Sequence, residues 1–329
     1  MHCAVDNIAE PNCLPFIEGK GIYHAYGRAG LFSSKQRNFV LENIDITVPK
    51  GKTLGIVGES GSGKSTLSRL LLGLEVPTVG QVEYAGKPMP MPGSRDWKMM
   101  RQKMQMVFQN PYASLDRRMN VLDQVAEPLH IHHLATTKDA RERAREYLRR
   151  VAFPAHLLDY RPDKLSGGQL QRVGIARAMV TQPEFLVCDE PVASLDVSVQ
   201  AQVLELLGNL KEELGLTLVF VSHDLNVVSY ISDYIAVMHR GRIVEYGPAR
   251  EVFTTPLHPY TQLLLESVPG SGVPVVENAE EILFQKEAGC RFQSRCRYKQ
   301  FACADNTPPF IRSAQKERAT ACFRPLGDL

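Results

Sequence analysis

A glycine-rich segment in the first quarter of the chain limits the possible folds more than any other feature of this sequence. Residues 58–65 read Gly-Glu-Ser-Gly-Ser-Gly-Lys-Ser, which matches the pattern of a phosphate-binding loop. The apolar residues 53–57 predict a buried strand before this loop, and residues 65–72 predict a helix after it. Because the motif requires a strand on one side and a helix on the other, its context predicts an α/β fold with a parallel sheet.

The residue types in this loop suit a nucleotide phosphate and a magnesium ion. Glycines allow successive N–H groups to face one anion, and the following helix presents its positive end to the phosphates. Lys64 supplies a compact cation for the β- and γ-phosphates, and Ser65 offers its hydroxyl to magnesium. The predicted nucleotide-binding residues here are Gly58, Glu59, Ser60, Gly61, Ser62, Gly63, Lys64, Ser65 and Thr66.

A second apolar run ends in two carboxylates. Residues 185–188 predict a buried strand, and Asp189 and Glu190 follow it directly. Since the carboxyl ends of parallel strands meet at one edge of a sheet, both side chains should lie near the phosphate-binding loop. Asp189 is then placed to hold magnesium, and Glu190 to orient or deprotonate an attacking water. This pair favours hydrolysis over phosphate transfer to an organic hydroxyl.

A third motif predicts a second anion-binding position. Ser166, Gly167, Gly168 and Gln169 precede an apolar helix, and a serine with two glycines at a helix N-terminus suits an anion. One nucleotide does not need two such positions from one chain. A second copy of the chain, or a related partner, would close this segment over the phosphates of the first.

Composition excludes several classes of protein. The 329 residues include 38 Lys and Arg and 36 Asp and Glu, with the two signs interspersed. This balance argues against a nucleic-acid-binding face, and no apolar run approaches the roughly 18 residues of a membrane span. The N-terminal residues do not resemble a secretory signal, so we expect a cytosolic chain whose cysteines are reduced or metal-bound.

Hydrophobic periodicity predicts three segments. Residues 1–18 read as an irregular lead-in. Residues 19–255 read as one nucleotide-binding domain, with antiparallel strands near its start and a helical subdomain over about 110–182. Residues 256–329 form a C-terminal extension in which cysteine, proline and arginine replace regular periodicity.

The order and spacing of the motifs resemble those of ATP-binding-cassette (ABC) ATPases. The likeness rests on residues 58–65, 165–169 and 185–190 and on the later Ser222-His223, and it spans about residues 20–255. It implies a P-loop ATPase core with a parallel sheet, an antiparallel β subdomain and a helical subdomain. It also implies hydrolysis of ATP with magnesium.

The resemblance implies roles for residues outside the three motifs. Gln109 is similar to the glutamine that links magnesium and water to the transmembrane partner, and His223 to the histidine that contacts the γ-phosphate. Asp196 resembles the carboxylate that crosses the dimer interface. Tyr26 is similar to the aromatic residue that stacks on adenine, with Tyr23 or Phe39 as alternatives. The expected catalytic residues are Glu190, His223 and Gln109, and the expected magnesium ligands are Ser65, Gln109 and Asp189.

Three segments resemble the peptide-importer branch of this family: residues 110–116, residues 258–261 and the cysteine-containing tail. The resemblance implies an ATPase that energises import of peptides or a similar small solute, a nickel chelate included. It implies a second ATPase subunit, identical or paralogous, with two permeases and an extracytoplasmic solute-binding protein, and a peripheral place on the cytoplasmic face of the inner membrane. A soluble ABC ATPase of DNA repair or translation is the alternative, and a non-hydrolytic redox sensor is a third possibility.

Four of the seven cysteines crowd the last 40 residues: Cys290, Cys296, Cys303 and Cys322. Their spacing lacks the short C-x(2-4)-C unit of zinc knuckles and matches neither common ferredoxin pattern. In the relatives that this chain resembles, the equivalent cysteines hold a four-iron four-sulfur cluster, which implies a structural cluster here. Zinc and reduced thiols remain alternatives, and three nearby arginines could offset the charge of either metal site: Arg291, Arg295 and Arg297.

Overall fold

The structure is a computed structural model that describes residues 15–27, 38–267, 289–313 and 317–327. Most of the predicted lead-in lies outside these residues. Where the two overlap, the prediction is wrong, because the first strand already begins at Pro15. Proline is tolerated as the first residue of a strand, and its presence made this segment look irregular.

A small antiparallel sheet covers one side of the molecule, with strand order β2-β1-β4-β5. Strand β2 shows the alternation that was predicted: Ile44, Ile46 and Val48 are buried, and the residues between them are not. The strands are β1 (Pro15–His24), β2 (Leu41–Pro49), β4 (Val79–Tyr84) and β5 (Lys87–Pro88).

The larger sheet has eight strands in the order β11-β12-β10-β9-β3-β8-β7-β6. From β9 to β6 neighbouring strands are parallel, whereas β10, β12 and β11 continue the sheet with antiparallel pairing. Its strands are β3 (Thr53–Val57), β6 (Met104–Val107), β7 (Phe185–Asp189), β8 (Thr217–Val221), β9 (Tyr234–His239), β10 (Arg242–Pro248), β11 (Ile311–Arg312) and β12 (Ala319–Thr320).

The central parallel strands are buried on both faces. Every residue of β3, β7 and β8 is buried, as expected for a sheet whose two sides are both covered. The helices outside the 110–182 segment are α1 (Lys64–Leu71), α2 (Arg95–Lys103), α7 (Val197–Leu214), α8 (Leu225–Ile231), α9 (Ala249–Thr254), α10 (Pro259–Glu266) and α11 (Ala302–Asp305). Among the described residues, no helix is both long enough and apolar enough to cross a bilayer.

The segment from about 110 to 182 is helical. Its main helix bundle is held by amphipathic faces; α5, for example, buries Ala140, Ala144, Tyr147 and Leu148 at helical spacing and leaves most of its charged residues outside. The helices are α3 (Pro111–Ser114), α4 (Val121–Ile131), α5 (Thr137–Arg150) and α6 (Gly167–Met179). With the two sheets, these helices confirm the predicted α/β class.

The C-terminal extension is attached to the edge of the larger sheet. Strand β12 pairs with β10, and next to it Arg318 donates to the Glu245 carboxylate at 2.9 Å. Arg318 is 4% exposed and Glu245 is fully buried. The same carboxylate accepts hydrogen bonds from the backbone N–H groups of Leu257 and His258, so one buried ion pair holds the tail and the start of α10 together.

Candidate nucleotide-binding and hydrolysis site

The phosphate-binding loop connects β3 to α1, and two of its positions require glycine. Gly58 has φ of +152° and Gly63 has φ of +102°. A Cβ at Gly58 would lie 2.1 Å from the carbonyl oxygen of Met238, and one at Gly63 would lie 2.6 Å from Cδ2 of Leu41. A side chain at Gly58 would therefore displace the loop from the backbone of Met238, and at Gly63 the positive φ itself disfavours any residue with a side chain.

Lys64 lies inside the loop and is only 6% exposed. Its Nζ donates to the carbonyl oxygens of Gly58 at 2.8 Å and Glu59 at 2.9 Å. Burial lowers the pKa of Lys64, and the nearby carboxylates of Glu190, Asp189 and Glu59 act in the opposite direction. An ammonium group has three N–H donors, so Lys64 can hold both carbonyls and still donate to a phosphate.

Ser65 and Asp189, the two residues expected to hold magnesium, are hydrogen-bonded to each other. The Ser65 hydroxyl donates to Oδ1 of Asp189 at 3.1 Å, which joins the start of α1 to the end of β7. Burial raises the pKa of Asp189, and the hydrogen bond from Ser65 opposes that effect. A hydroxyl beside a carboxylate is an oxygen pair of the kind that magnesium prefers.

Glu190 lies where three parallel strands end. Its Oε2 accepts a hydrogen bond from Nε2 of Gln109 at 2.9 Å and lies 3.4 Å from Nδ1 of His223. Gln109 follows β6, Glu190 follows β7 and His223 follows β8. Glu190 itself has φ of +46°, and its N–H donates to the carbonyl of Val221 at 2.9 Å. Gln109 and His223, which were assigned from the family resemblance, therefore both lie at the carboxylate of Glu190.

Tyr26 is near the other side of the loop. Its hydroxyl lies 3.0 Å from Oγ1 of Thr66, and its side chain is largely exposed. The alternatives, Tyr23 and Phe39, pack edge to face against each other with ring centroids 5.5 Å apart. Tyr26 also meets His24 edge to face with ring centroids 5.0 Å apart, but it is the most exposed of the three aromatic residues.

The serine-glycine motif begins α6. Oγ of Ser166 accepts from the N–H of Gln169 at 3.4 Å, and Oε1 of Gln169 accepts from the N–H of Ser166 at 2.9 Å, which forms a capping box. A Cβ at Gly168 would lie 2.9 Å from Cγ1 of Val199 in α7. Asp196 directly precedes α7 and is exposed. The motif and Asp196 thus lie on neighbouring helix starts.

The four tail cysteines line one small pocket, together with His258 and Phe292. The lining cysteines are Cys290, Cys296, Cys303 and Cys322. Burial raises the pKa of three of these thiols, that of Cys322 to about 11. As arranged in the described part of the chain, no three His, Cys, Asp or Glu side chains form a group that could hold a metal ion. The cysteines share a pocket but do not surround a point as ligands of a single ion would.

The three arginines beside these cysteines form ion pairs with carboxylates. Each contacts a carboxylate elsewhere in the structure: Arg291 with Glu42 at 2.5 Å, Arg295 with Glu59 at 2.7 Å and Arg297 with Glu266 at 3.6 Å. Arg291 and Arg295 therefore attach the tail to the nucleotide-binding domain, and Arg297 joins two parts of the extension.

Two contacts to the phosphate-binding loop were missed by sequence reasoning. The N–H of Glu59 donates to the hydroxyl of Tyr260 at 3.0 Å, and the Glu59 carboxylate pairs with Arg295. Tyr260 belongs to the segment 258–261 that resembled peptide importers, but its spacing from the loop gave no sign of contact. The fold and the motifs together define a P-loop ATPase with an attached C-terminal extension.

Comparisons with known proteins agree with this class. Residues 41–193 match the ABC transporter family, and residues 244–303 match the C-terminal region of oligopeptide/dipeptide transporters. The oligopeptide transport ATP-binding protein OppF of Haemophilus influenzae is 38% identical over 90% of this chain and 91% of its own length. A candidate peptide import ATP-binding protein of Brucella ovis is 40% identical over 87% of this chain and 92% of its own length.

Solved structures give the same result. A post-hydrolysis dimer of the ATP-binding cassette MJ0796, bound to ADP and Pi, has a TM-score of 0.64 and 29% identity and covers 71% of this chain and 99% of its own. The cbiO1 protein of Clostridium perfringens, part of an ABC transporter complex, has a TM-score of 0.63 and 29% identity. The match covers 73% of this chain and 90% of cbiO1. This chain belongs to the ABC transporter ATPase family, and binding of ATP with magnesium fits that membership.

Proposed function

We propose that this chain couples ATP hydrolysis to the import of peptides or a similar small solute, with a nickel chelate among the candidates. One observation carries the proposal: an ABC ATPase domain is followed by a match to the C-terminal region of oligopeptide/dipeptide transporters. Relatives that match most of the chain carry peptide-transport names. The C-terminal extension also packs against the ATPase domain, because Tyr260 and Arg295 both contact the phosphate-binding loop.

In this proposal Glu190 is the general base of hydrolysis. Its carboxylate accepts a proton from water as the water oxygen attacks the γ-phosphorus and the bond to the β–γ bridging oxygen breaks. Gln109 and His223 hold this carboxylate in place from two sides. Lys64 binds the β- and γ-phosphates with its ammonium group. Ser65, Asp189 and Gln109 would hold magnesium, which would neutralise phosphate charge when bound.

A second ATPase subunit, identical or paralogous, completes the proposed site. The first N–H groups of α6 lack partners within the helix and suit an anion, and Ser166 and Gly167 are exposed there. Asp196 is exposed on the neighbouring helix start. The four residues Ser166, Gly167, Gly168 and Gln169 would face ATP bound to the opposite subunit. Tyr26 would stack on the adenine of the ATP bound in its own subunit.

The proposed assembly also contains two permeases and a solute-binding protein, with this chain on the cytoplasmic face of the inner membrane. The test is to purify the full chain with the membrane proteins that accompany it, reconstitute the complex in vesicles and measure uptake of labelled peptides. Uptake should require ATP and be lost in Lys64→Ala, and hydrolysis should rise with the loaded binding protein. Hydrolysis stimulated by DNA or RNA, with no membrane proteins retained, would instead support a role in repair or translation.

We further propose that the tail pocket holds a four-iron four-sulfur cluster. The support is the shared pocket of the four cysteines and the preference of such clusters for cysteine thiolates. Anaerobic purification followed by iron, sulfide and zinc analysis tests this proposal. Iron and sulfide should be found in equal amounts and be lost in Cys303→Ser but not in Cys188→Ala, whose cysteine lies in β7. Stoichiometric zinc without sulfide would replace the cluster by zinc, and no metal would leave reduced thiols.

A further inference from the structure

The second residue of the phosphate-binding loop is held by the C-terminal extension. Glu59 donates its N–H to the hydroxyl of Tyr260, and its carboxylate forms an ion pair with Arg295. These partners are 201 and 236 residues further along the chain. The contacts therefore come from outside the strand, loop and helix that define the motif.

Tyr260 is a rigid partner. Its side chain is fully buried, and its ring packs against His239 at 4.3 Å and Phe292 at 5.4 Å between centroids. His239 ends β9, and Phe292 lies between the first two tail cysteines. Because the ring is fixed from two directions, its oxygen is a fixed acceptor for the loop.

Tyr260 and Lys64 contact opposite sides of the Glu59 residue. Lys64 holds the carbonyls of Gly58 and Glu59. A lysine in this motif binds the β- and γ-phosphates when nucleotide is present, so the three N–H donors of Lys64 must then serve the phosphates as well as these carbonyls. Tyr260 acts on the opposite, N–H side of the Glu59 residue and does not compete with the phosphates.

Arg295 offsets the negative charge of the Glu59 carboxylate. The carboxylate of Glu59 is close enough to Lys64 to influence its pKa, so it also lies close enough to oppose a phosphate at the same lysine. Arg295 contacts this carboxylate at 2.7 Å, with the two side chains 37% and 42% exposed. Such an exposed pair contributes little to stability, but it reduces a negative charge beside an anion-binding loop.

We propose that Tyr260 and Arg295 are positioning residues that set the affinity of the phosphate-binding loop for ATP. Tyr260 fixes the backbone of Glu59, and Arg295 offsets its charge. Phe292 and Arg295 both lie between Cys290 and Cys296, and Phe292 lines the cysteine pocket. Docking of the tail and binding of ATP therefore favour each other by the same factor.

The first experiment measures ATP dissociation constants of the full chain in Tyr260→Phe and Arg295→Gln. Loss of one hydrogen bond that preorganises the loop should raise the dissociation constant about threefold to tenfold. In the assembled transporter, KM should rise by a similar factor and kcat should not change, because neither residue touches the reacting atoms. The matched controls are Tyr246→Phe, which removes a hydrogen bond to Thr47, and Arg297→Gln, which removes the ion pair to Glu266.

The second experiment separates positioning from a general loss of structure. Glu59→Gln added to Arg295→Gln should restore ATP affinity, because the carboxylate that Arg295 offsets is then absent. ATP should slow hydrogen exchange in residues 289–300 of the original chain and have less effect in Tyr260→Phe. The proposal would be overturned if both single variants kept the original ATP affinity, or if the controls lost as much ATP affinity as they do. It would also be overturned if Glu59→Gln failed to restore ATP affinity in the Arg295→Gln background.

Discussion

Replacing Glu190 by glutamine tests the proposed chemistry most directly. The substitution keeps the shape of the side chain and an oxygen that can accept from Gln109, as the carboxylate does at 2.9 Å. It removes the ability to take a proton from water. General bases contribute roughly 10²- to 10⁴-fold to turnover, which corresponds to about 3–5 kcal/mol of barrier. ATP affinity should be kept or increased, because one negative charge near the phosphates is removed.

The assay is phosphate release by the assembled complex, with the equivalent residue of the second ATPase also substituted, together with ATP binding measured by calorimetry. Glu184→Gln is the matched control, because Glu184 directly precedes the same strand and pairs with Lys103 at 2.7 Å. Glu184→Gln should change turnover by less than about twofold, because it removes only an exposed ion pair. A Glu190→Gln complex that keeps more than a tenth of the original turnover would refute the assignment.

Three further predictions concern stability and ATP binding. Arg318→Met should lower the free energy of unfolding by about 3–5 kcal/mol in urea denaturation, because the buried carboxylate of Glu245 loses its charge partner. Gly58→Ala should abolish ATP binding in calorimetry while circular dichroism stays unchanged, since its Cβ would lie 2.1 Å from the carbonyl oxygen of Met238. Tyr26→Ala should weaken ATP about tenfold in a fluorescent-nucleotide competition assay without changing kcat, because base stacking on an aromatic ring is lost.

Much of the site could be predicted because it depends on local patterns and one topological rule. The loop lies between a strand and a helix that are adjacent in sequence. The position of Glu190 beside it follows from parallel strands ending at one edge of the sheet, whereas Gln109 and His223 were assigned from the resemblance to ABC ATPases. Neither step requires knowledge of distant side-chain contacts.

The attachment of the tail could not be predicted in this way. Strands β11 and β12 contain two residues each, which is too short for any alternation to be recognised. The contact between Tyr260 and Glu59 joins residues far apart in sequence, and nothing in either segment marks the other as its partner. The charges of Arg291, Arg295 and Arg297 suggested a role near the cysteines, but charge alone did not show which carboxylates they reach.

The pairing of β12 with β10 has a consequence during synthesis of the protein. Glu245 and Tyr246 emerge from the ribosome more than 70 residues before their partners Thr320 and Ala319. Until those partners arrive, one side of β10 is an open row of backbone hydrogen-bonding groups, the kind of edge that promotes aggregation. Chains truncated before residue 317 should therefore aggregate more readily than full-length chains.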